Sequence, residues 1–493
     1  MLLKDKKQNN NSGVLMHLSA LPSNYGIGTL GYEAYRFVDF LKYSGQKYWQ
    51  MLPLVPLGEG NSPYKSSSCY AGEILYIDLD LLVLADLLKP EEIPEDPFKD
   101  GERINFEKVR EFKLPLIKKA VSRFICVGED YTRFIKDNAF WLENYAIFAA
   151  MLEKFNTDSI LDLPLELRKR DKKAIEKFCN ENIDSIHFYT VSQYLFYAQY
   201  YDLKRYALKN GISFIGDIPI YVSLDSAEVW TTPENFMLED DLTPKLVAGV
   251  PPDMFSELGQ LWGNPIYDWN YMKKDNFSWW RGRIRRCMQM YDIIRIDHFR
   301  AFADYYTIKY GAKDATDGKW VDGPQMAFWD KINEEFGQIG IIAEDLGEYT
   351  ENVGNLLKDT KFPNMRVLQF AFSGEDTNSH LPQNYNGNCV AYTGTHDNDT
   401  TLGWYQNASN EEKAQADSLF PATNELPVPL NFIKAVLSSN SKFQIIPIQD
   451  WLMQDSTTRM NIPGIPRGNW GYRIKKTDLS GEVIDRIKYI SKL

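Results

Sequence analysis

The sequence predicts an α/β protein built on an eight-stranded parallel (β/α)8 TIM barrel, and three observations predict it. Eight short apolar runs recur along the 493 residues. They are continuous rather than alternating, as parallel strands covered on both faces require. Amphipathic stretches such as GYEAYRFVDFLKYSG and PQMAFWDKINEEFG lie between several of them, the pattern of a strand–helix repeat.

In chain order the runs begin at Gly13 (GVLMHLSAL), Tyr48 (YWQMLPLVP), Ser213 (SFIGDIPIYV) and Asp292 (DIIRIDHF), then at Gly340 (GIIAEDLG), Arg366 (RVLQFAF), Cys389 (CVAYTG) and Phe443 (FQIIPIQD). Their uneven spacing assigns residues 1–56 and 201–493 to the barrel. Residues 57–200, between the second and third strands, form an insertion subdomain. It opens with the Gly/Ser/Pro loop GEGNSPYKSSSCYAG and continues with Lys/Glu-rich helical patterns, whose charges read as solvated helix faces. A second insertion, residues 223–291, lies within the barrel span between strands three and four. It carries AGVPPDMFSELGQLWGNPIYDW, whose proline, glycine and aromatic content reads as a shaped loop rather than a helix.

A net charge of −12 argues against a nucleic-acid partner, which favours a basic face. No apolar run approaches the roughly 20 residues that span a bilayer, and the polar start MLLKDKKQNNNSG resembles no secretory signal. The five cysteines are scattered and form no CxxC pair, which fits a reducing cytoplasm rather than a zinc site or disulfide framework. The five histidines also lack metal-ligand spacing, so no metal is expected. Of the 12 tryptophans, most read as core, and the remainder as flat platforms for an extended ligand such as a sugar chain.

The chemistry lies in three acidic residues at the ends of buried runs. Asp297 closes YDIIRIDHF, Glu344 closes IGIIAEDLG, and Asp397 follows CVAYTGTHDND. A carboxylate where a buried strand surfaces is costly unless it is used. One alone is usually a helix cap or a loop ion pair; three together, with a cation nearby, match what glycosidic bond cleavage needs. Active sites of such barrels sit at the C-terminal strand ends, where Asp217 is also expected. Arg295, two residues before Asp297, faces the same side of its strand and is expected to keep Asp297 ionised. Glu344 emerges from an apolar run, which favours its protonated form and the role of proton donor. His298 and His396 are placed to bind sugar hydroxyls, whereas His17, His187 and His380 read as ordinary structural residues.

The motifs RIDHFR, AEDLG, GTHDNDT, SPYKSSS, GDIPIYV and GVPPDMFSELGQLWGNPIYDW together resemble the 4-α-glucanotransferases (amylomaltases) of glycoside hydrolase family 77, in the family's order and over almost the whole chain. The three carboxylates are shared with the wider α-amylase clan; the long loop motif separates this family from its relatives. The resemblance implies Asp297 as nucleophile, Glu344 as acid/base and Asp397 as transition-state stabiliser. It implies substrate contacts at Tyr64, Asp217, Asp253, Gln260, Trp262, Arg295, His298, His396 and Asn461. The chain departs from the family's usual pattern at Glu73 and Ile74, where Asn-Pro is common, at Ser373, where Asp is common, and in NIPGIPRGNWGYR. These departures bear on chain-length preference rather than on the reaction.

The implied reaction is a retaining double displacement on maltooligosaccharides and α-1,4-glucans, which serve as donor and acceptor. The bonds broken and made are alike, so no cofactor is expected. Two alternatives share parts of this pattern: an α-amylase-type retaining hydrolase, and a non-catalytic glucan-binding protein.

Overall fold

The computed structural model describes residues 11–252, 256–423 and 425–493. Among the described residues the chain forms twelve strands. They are β1 (Ser12–Leu15), β2 (Tyr48–Gln50), β3 (Ser213–Pro219), β4 (Leu246–Val250), β5 (Gln260–Pro265) and β6 (Ile293–Asp297), followed by β7 (Asp304–Lys309), β8 (Lys319–Asp322), β9 (Ile341–Ala343), β10 (Asn364–Val367), β11 (Cys389–Tyr392) and β12 (Phe443–Pro447). Eight of them close a barrel in the order β1-β2-β3-β6-β9-β10-β11-β12 and back to β1, with every pairing parallel. Six of them fall within the apolar runs read from the sequence. β1 begins one residue before its run, and β10 two residues before its own, whose LQF turns as a short helix. The reason is burial: β1, β9 and β11 are buried along their full length, so nothing in them alternates.

Between β2 and β3 the chain is mainly helical. The helix Ile183–Lys209 runs 27 residues and packs along Leu142–Phe155, Phe106–Arg123 and Tyr32–Tyr43. Side-chain caps start many of the helices: Asn105 accepts from Lys108 N–H, and Thr350 and Thr400 do the same for the helices after β9 and β11. Each cap satisfies a backbone donor that the first helical turn leaves unpaired. Among the described residues no helix is long and apolar enough to cross a membrane. The five cysteines are free.

A second sheet was not legible in the sequence. The segment expected as a loop folds as the antiparallel hairpin β4–β5, and β4 pairs with β7, which pairs with β8. The sheet, in order β5-β4-β7-β8, therefore joins the excursion after β3 to another after β6. Arg300 and Thr350 pin it to the barrel. Both donate to Asp304 at 2.6 Å, and Arg300 also donates to the Glu348 carbonyl.

Five tryptophans (Trp49, Trp230, Trp280, Trp329 and Trp451) are fully buried, so much of the aromatic content is core. Gly216 shows how tightly the barrel wall is packed beside the site. A Cβ there would lie 2.2 Å from the Tyr291 ring, which is itself 6% exposed and has no room to retreat. Gly216→Ala is therefore expected to lower stability by about 1–3 kcal/mol, the usual range for an overpacked core, read as a lower urea midpoint with unchanged slope.

Candidate active site

The site begins with a strand register. Asp217 of β3 lies directly opposite Arg295 of β6, and Pro219 opposite Asp297. Side chains two apart on a strand share a face, so Asp217, Arg295 and Asp297 all turn inward together. Arg295 Nη1 donates to both oxygens of Asp217, at 2.7 and 2.6 Å. Its Nη2 donates to Asp297 Oδ1 at 2.8 Å, and its Nε faces the Met365 sulfur. The Tyr64 hydroxyl donates to Asp217 Oδ2 at 2.8 Å.

Asp217 and Arg295 are both buried within this network. Asp217 was expected at a strand end and in contact with substrate, as was Arg295. Asp217 instead lies inside β3, and the two side chains are 0% and 4% exposed. Their polar atoms are directed at one another, at Asp297 and at Tyr64.

Asp297 ends β6 and keeps 30% side-chain exposure. The next residue, His298, adopts a left-handed backbone with φ 54°, a sparsely populated conformation for a residue with a Cβ. That twist turns the His298 N–H onto Glu344 Oε2 at 2.7 Å, while Leu346 N–H binds Oε1 at 2.6 Å. Glu344 follows β9 and is 8% exposed. Asp397 sits in the turn after β11. Its Oδ1 accepts from Asn461 Nδ2 at 2.6 Å and lies 3.4 Å from His396 Nε2, yet its side chain remains 42% exposed. It is open to a ligand.

Both inner carboxyls are pushed upward. Burial pushes Glu344 up to about 8, and the neighbouring Asp297 charge adds to the push; Arg295 and the two backbone donors pull back without reversing it. Asp297 was expected below the ordinary carboxylate range on account of Arg295. The net direction is upward: burial raises it, Asp217 and Asp397 raise it further, and Arg295 and His396 only partly offset them. The sequence shows the cation beside Asp297 but not that Asp217 claims the same guanidinium. His298 is held neutral, lowered to about 3 by burial and by Arg300.

Aromatic rings wall the groove on two sides. Tyr64 stacks on His396 with centroids 5.3 Å apart and an interplanar angle of 7°. Trp262 of β5 stands edge-on to His298 at 4.7 Å. Gln260 is exposed, and its Oε1 accepts from Trp262 Nε1 at 3.1 Å, so it fixes the tryptophan. Asp253 lies outside the described residues.

Three contributors escaped sequence reasoning. Trp470 packs against Tyr64 and His396. Arg459 donates to the Asp397 carbonyl at 2.8 Å, and the Thr395 hydroxyl accepts from the Asp397 N–H. Arg459 and Trp470 come from the segment around Asn461, where RMN and NWGY carry no periodic signal. Of the departures noted in the sequence, Glu73 has a structural part: it accepts from Leu57 and Leu75 N–H groups and so closes the loop that carries Tyr64. His17 and His380 are structural too, one bonded to the Tyr76 hydroxyl and the other to Val367 N–H.

Among the described residues no group of three His, Cys, Asp or Glu side chains is arranged to hold a metal ion. What the groove holds is three carboxylates at the C-terminal rim of a (β/α)8 barrel, between aromatic faces. The profile of glycoside hydrolase family 77, described as 4-alpha-glucanotransferase, matches residues 16–478. The chain belongs to that family. A 4-alpha-glucanotransferase of Clostridium butyricum is 44% identical over 482 residues, spanning 97% of this chain and 99% of its own. One from Thermus thermophilus is 40% identical, covering 97% of this chain and 98% of its own. Among solved structures, an amylomaltase from Streptococcus agalactiae in complex with acarbose superposes with a TM-score of 0.95 at 39% identity, covering 98% of this chain and 99% of that one.

The acidity of Glu344 has a consequence for stability. A carboxyl whose folded pKa is raised from 4.5 to about 8 binds its proton more tightly folded than unfolded. Its contribution is present below the unfolded value and is lost as pH rises through about 8. Glu344→Gln is therefore expected to gain stability relative to the parent as pH rises from 5 to 9. The gain grows at up to about 1.4 kcal/mol per unit, measured by urea unfolding at several pH values. A difference independent of pH would contradict the assignment.

Proposed function

We propose that the protein transfers α-1,4-linked glucan segments from a donor maltodextrin to the 4-hydroxyl of an acceptor glucose or glucan. Asp297 is the nucleophile, Glu344 the acid/base and Asp397 the stabiliser. The observation that carries this reading is the unequal treatment of two adjacent carboxyls. Asp297 touches a guanidinium and keeps partial exposure, whereas Glu344 is buried and holds its proton to about pH 8. Pairs whose surroundings separate their acidities are how one site runs acid and nucleophile chemistry together.

In the first step the Asp297 carboxylate attacks the anomeric carbon as the glycosidic C–O bond breaks. Glu344 gives its proton to the departing oxygen, and a covalent glycosyl-enzyme forms. In the second step Glu344, now ionised, takes the proton from the acceptor's 4-hydroxyl; that oxygen attacks the anomeric carbon and Asp297 leaves. Glu344 ends protonated and Asp297 ionised, ready to repeat. The two backbone donors on Glu344 support its ionised form between the steps. Asp397, steadied by Asn461 and His396, accepts from sugar hydroxyls as positive charge develops at the ring. Its exposure leaves room for that contact.

Transfer requires the acceptor to outcompete water. Trp262 beside His298 and Tyr64 beside His396 supply apolar faces on which an acceptor ring displaces solvent. A hydrolase with the same carboxylates would lack that advantage, and maltotriose separates the two readings. Transfer yields glucose together with chains longer than the starting sugar, whereas hydrolysis yields only shorter ones. Asp297→Asn is expected to lower turnover by about 10⁴-fold or more while glucan binding persists. Wild-type rates in that variant would remove Asp297 from its role. Trp262→Ala is expected to lower kcat/KM for maltotriose disproportionation by about tenfold, the equivalent of 1.4 kcal/mol, and to raise the share of hydrolysis products seen by chromatography. An unchanged product ratio would separate Trp262 from acceptor binding.

A further inference from the structure

A cleft of about 270 Å³ opens between the helical insertion after β2 and the helices after β3, and it shares no lining residue with the carboxylate groove. Tyr70, Phe140, Trp141, Tyr271 and Trp279 wall it. Phe140 and Tyr271 are 57% and 38% exposed, so their rings stand open at its mouth. Phe140 meets Tyr70 edge-on at 5.3 Å, and Tyr70 stacks on Trp141 at 6.3 Å, which holds these rings in fixed orientation. Its volume lies just below the usual range for small-ligand sites, about 300–1,000 Å³.

The polar lining is hydroxyl, amide and carboxyl: Thr231, Ser278, Asn144, Glu228, Glu234 and Asp275, with no lysine or arginine. The nearest guanidiniums, of Arg283 and Arg286, lie against the Trp279 and Trp141 rings rather than in the lining itself. Two of the acids are engaged by neutral donors. Glu228 accepts from Ser68 Oγ and Cys69 N–H, and Asp275 accepts from the hydroxyl and N–H of Ser278. Tyr70 is 6% exposed, and its hydroxyl lies 3.8 Å from where a Cβ on the cleft residue Gly282 would stand. Burial keeps that phenol protonated and a donor.

We propose that this cleft is a second α-glucan-binding site, which anchors a maltodextrin chain away from the bond being broken. Aromatic faces receive the apolar faces of the sugar rings, and the hydroxyl, amide and carboxyl groups meet their hydroxyls. The proposal rests on the reading of the protein as glucan-active. Glu228 links the cleft to the catalytic groove: Ser68, which it holds, lies four residues beyond Tyr64 in the same loop.

The test pairs two measurements on the full-length protein and on Phe140→Ala/Tyr271→Ala, both positions exposed and outside the catalytic groove. Retardation in gels containing amylose reports polymer binding, and maltotriose disproportionation reports the catalytic groove. The expected result is amylose affinity weakened about tenfold, or 1.4 kcal/mol, with kcat/KM for maltotriose unchanged. Unchanged retardation overturns the proposal, as does an equal fall in both measurements. Release of the wild-type protein from amylose by millimolar tetramethylammonium also overturns it, by assigning the cleft to a cation. Weakened retardation in a protein whose wild type does not act on maltotriose would keep the site and remove the catalytic reading.

Discussion

Everything at the catalytic rim is referred to one buried cation. Arg295 is 4% exposed and joins two carboxylates of different fate, one sealed inside the barrel and one at its edge. A guanidinium suits this place because its planar fork serves both acids at once without losing its charge. A buried ion pair adds little net stability, yet removing one partner strands a charge at a cost of about 3–5 kcal/mol. The arrangement is therefore one of position. Asp217 fixes Arg295, Arg295 fixes Asp297, and the Tyr64 hydroxyl on Asp217 ties the aromatic platform into the same chain of contacts.

The acid/base is arranged by backbone rather than by side chains. The left-handed turn at His298 brings an N–H onto Glu344 that an extended strand would point elsewhere. The Phe299 N–H then binds the Glu344 carbonyl, so β6 and β9 remain coupled beyond the sheet. The same turn sets the His298 ring under Trp262, which reaches it from the second sheet. Two excursions from the barrel thus meet above the carboxylates, and the Arg300–Asp304–Thr350 cluster keeps that sheet in register with the barrel.

The eight barrel strands were legible because parallel strands buried on both faces must be apolar throughout. The second sheet was not, because its strands carry no such mark: β8 is exposed along its whole length, β5 over much of its own, and the partners come from separate excursions. Asp297, Glu344 and Asp397 stood out because a charge at a buried strand end is costly. Asp217 was seen, but its part was not. Only the register opposite Arg295 shows that its carboxylate is spent inside the barrel. Arg459 gave no signal, and Trp470 stood only in a segment marked by its departure from the family pattern, since both reach the Asp397 turn from irregular chain far along the sequence.

The central claim is that the surroundings of Arg295 separate the acidities of Asp297 and Glu344. The most direct test is carboxyl-carbon NMR of protein labelled at Asp Cγ and Glu Cδ, titrated from pH 3 to 10, with each resonance assigned by its amide variant. The account predicts two steps, Asp297 ionising first and Glu344 near pH 8, and it predicts that Arg295→Lys, which cannot grip both acids, moves the Asp297 step upward. Glu344 ionised by pH 5, or an Asp297 step indifferent to Arg295→Lys, would contradict it.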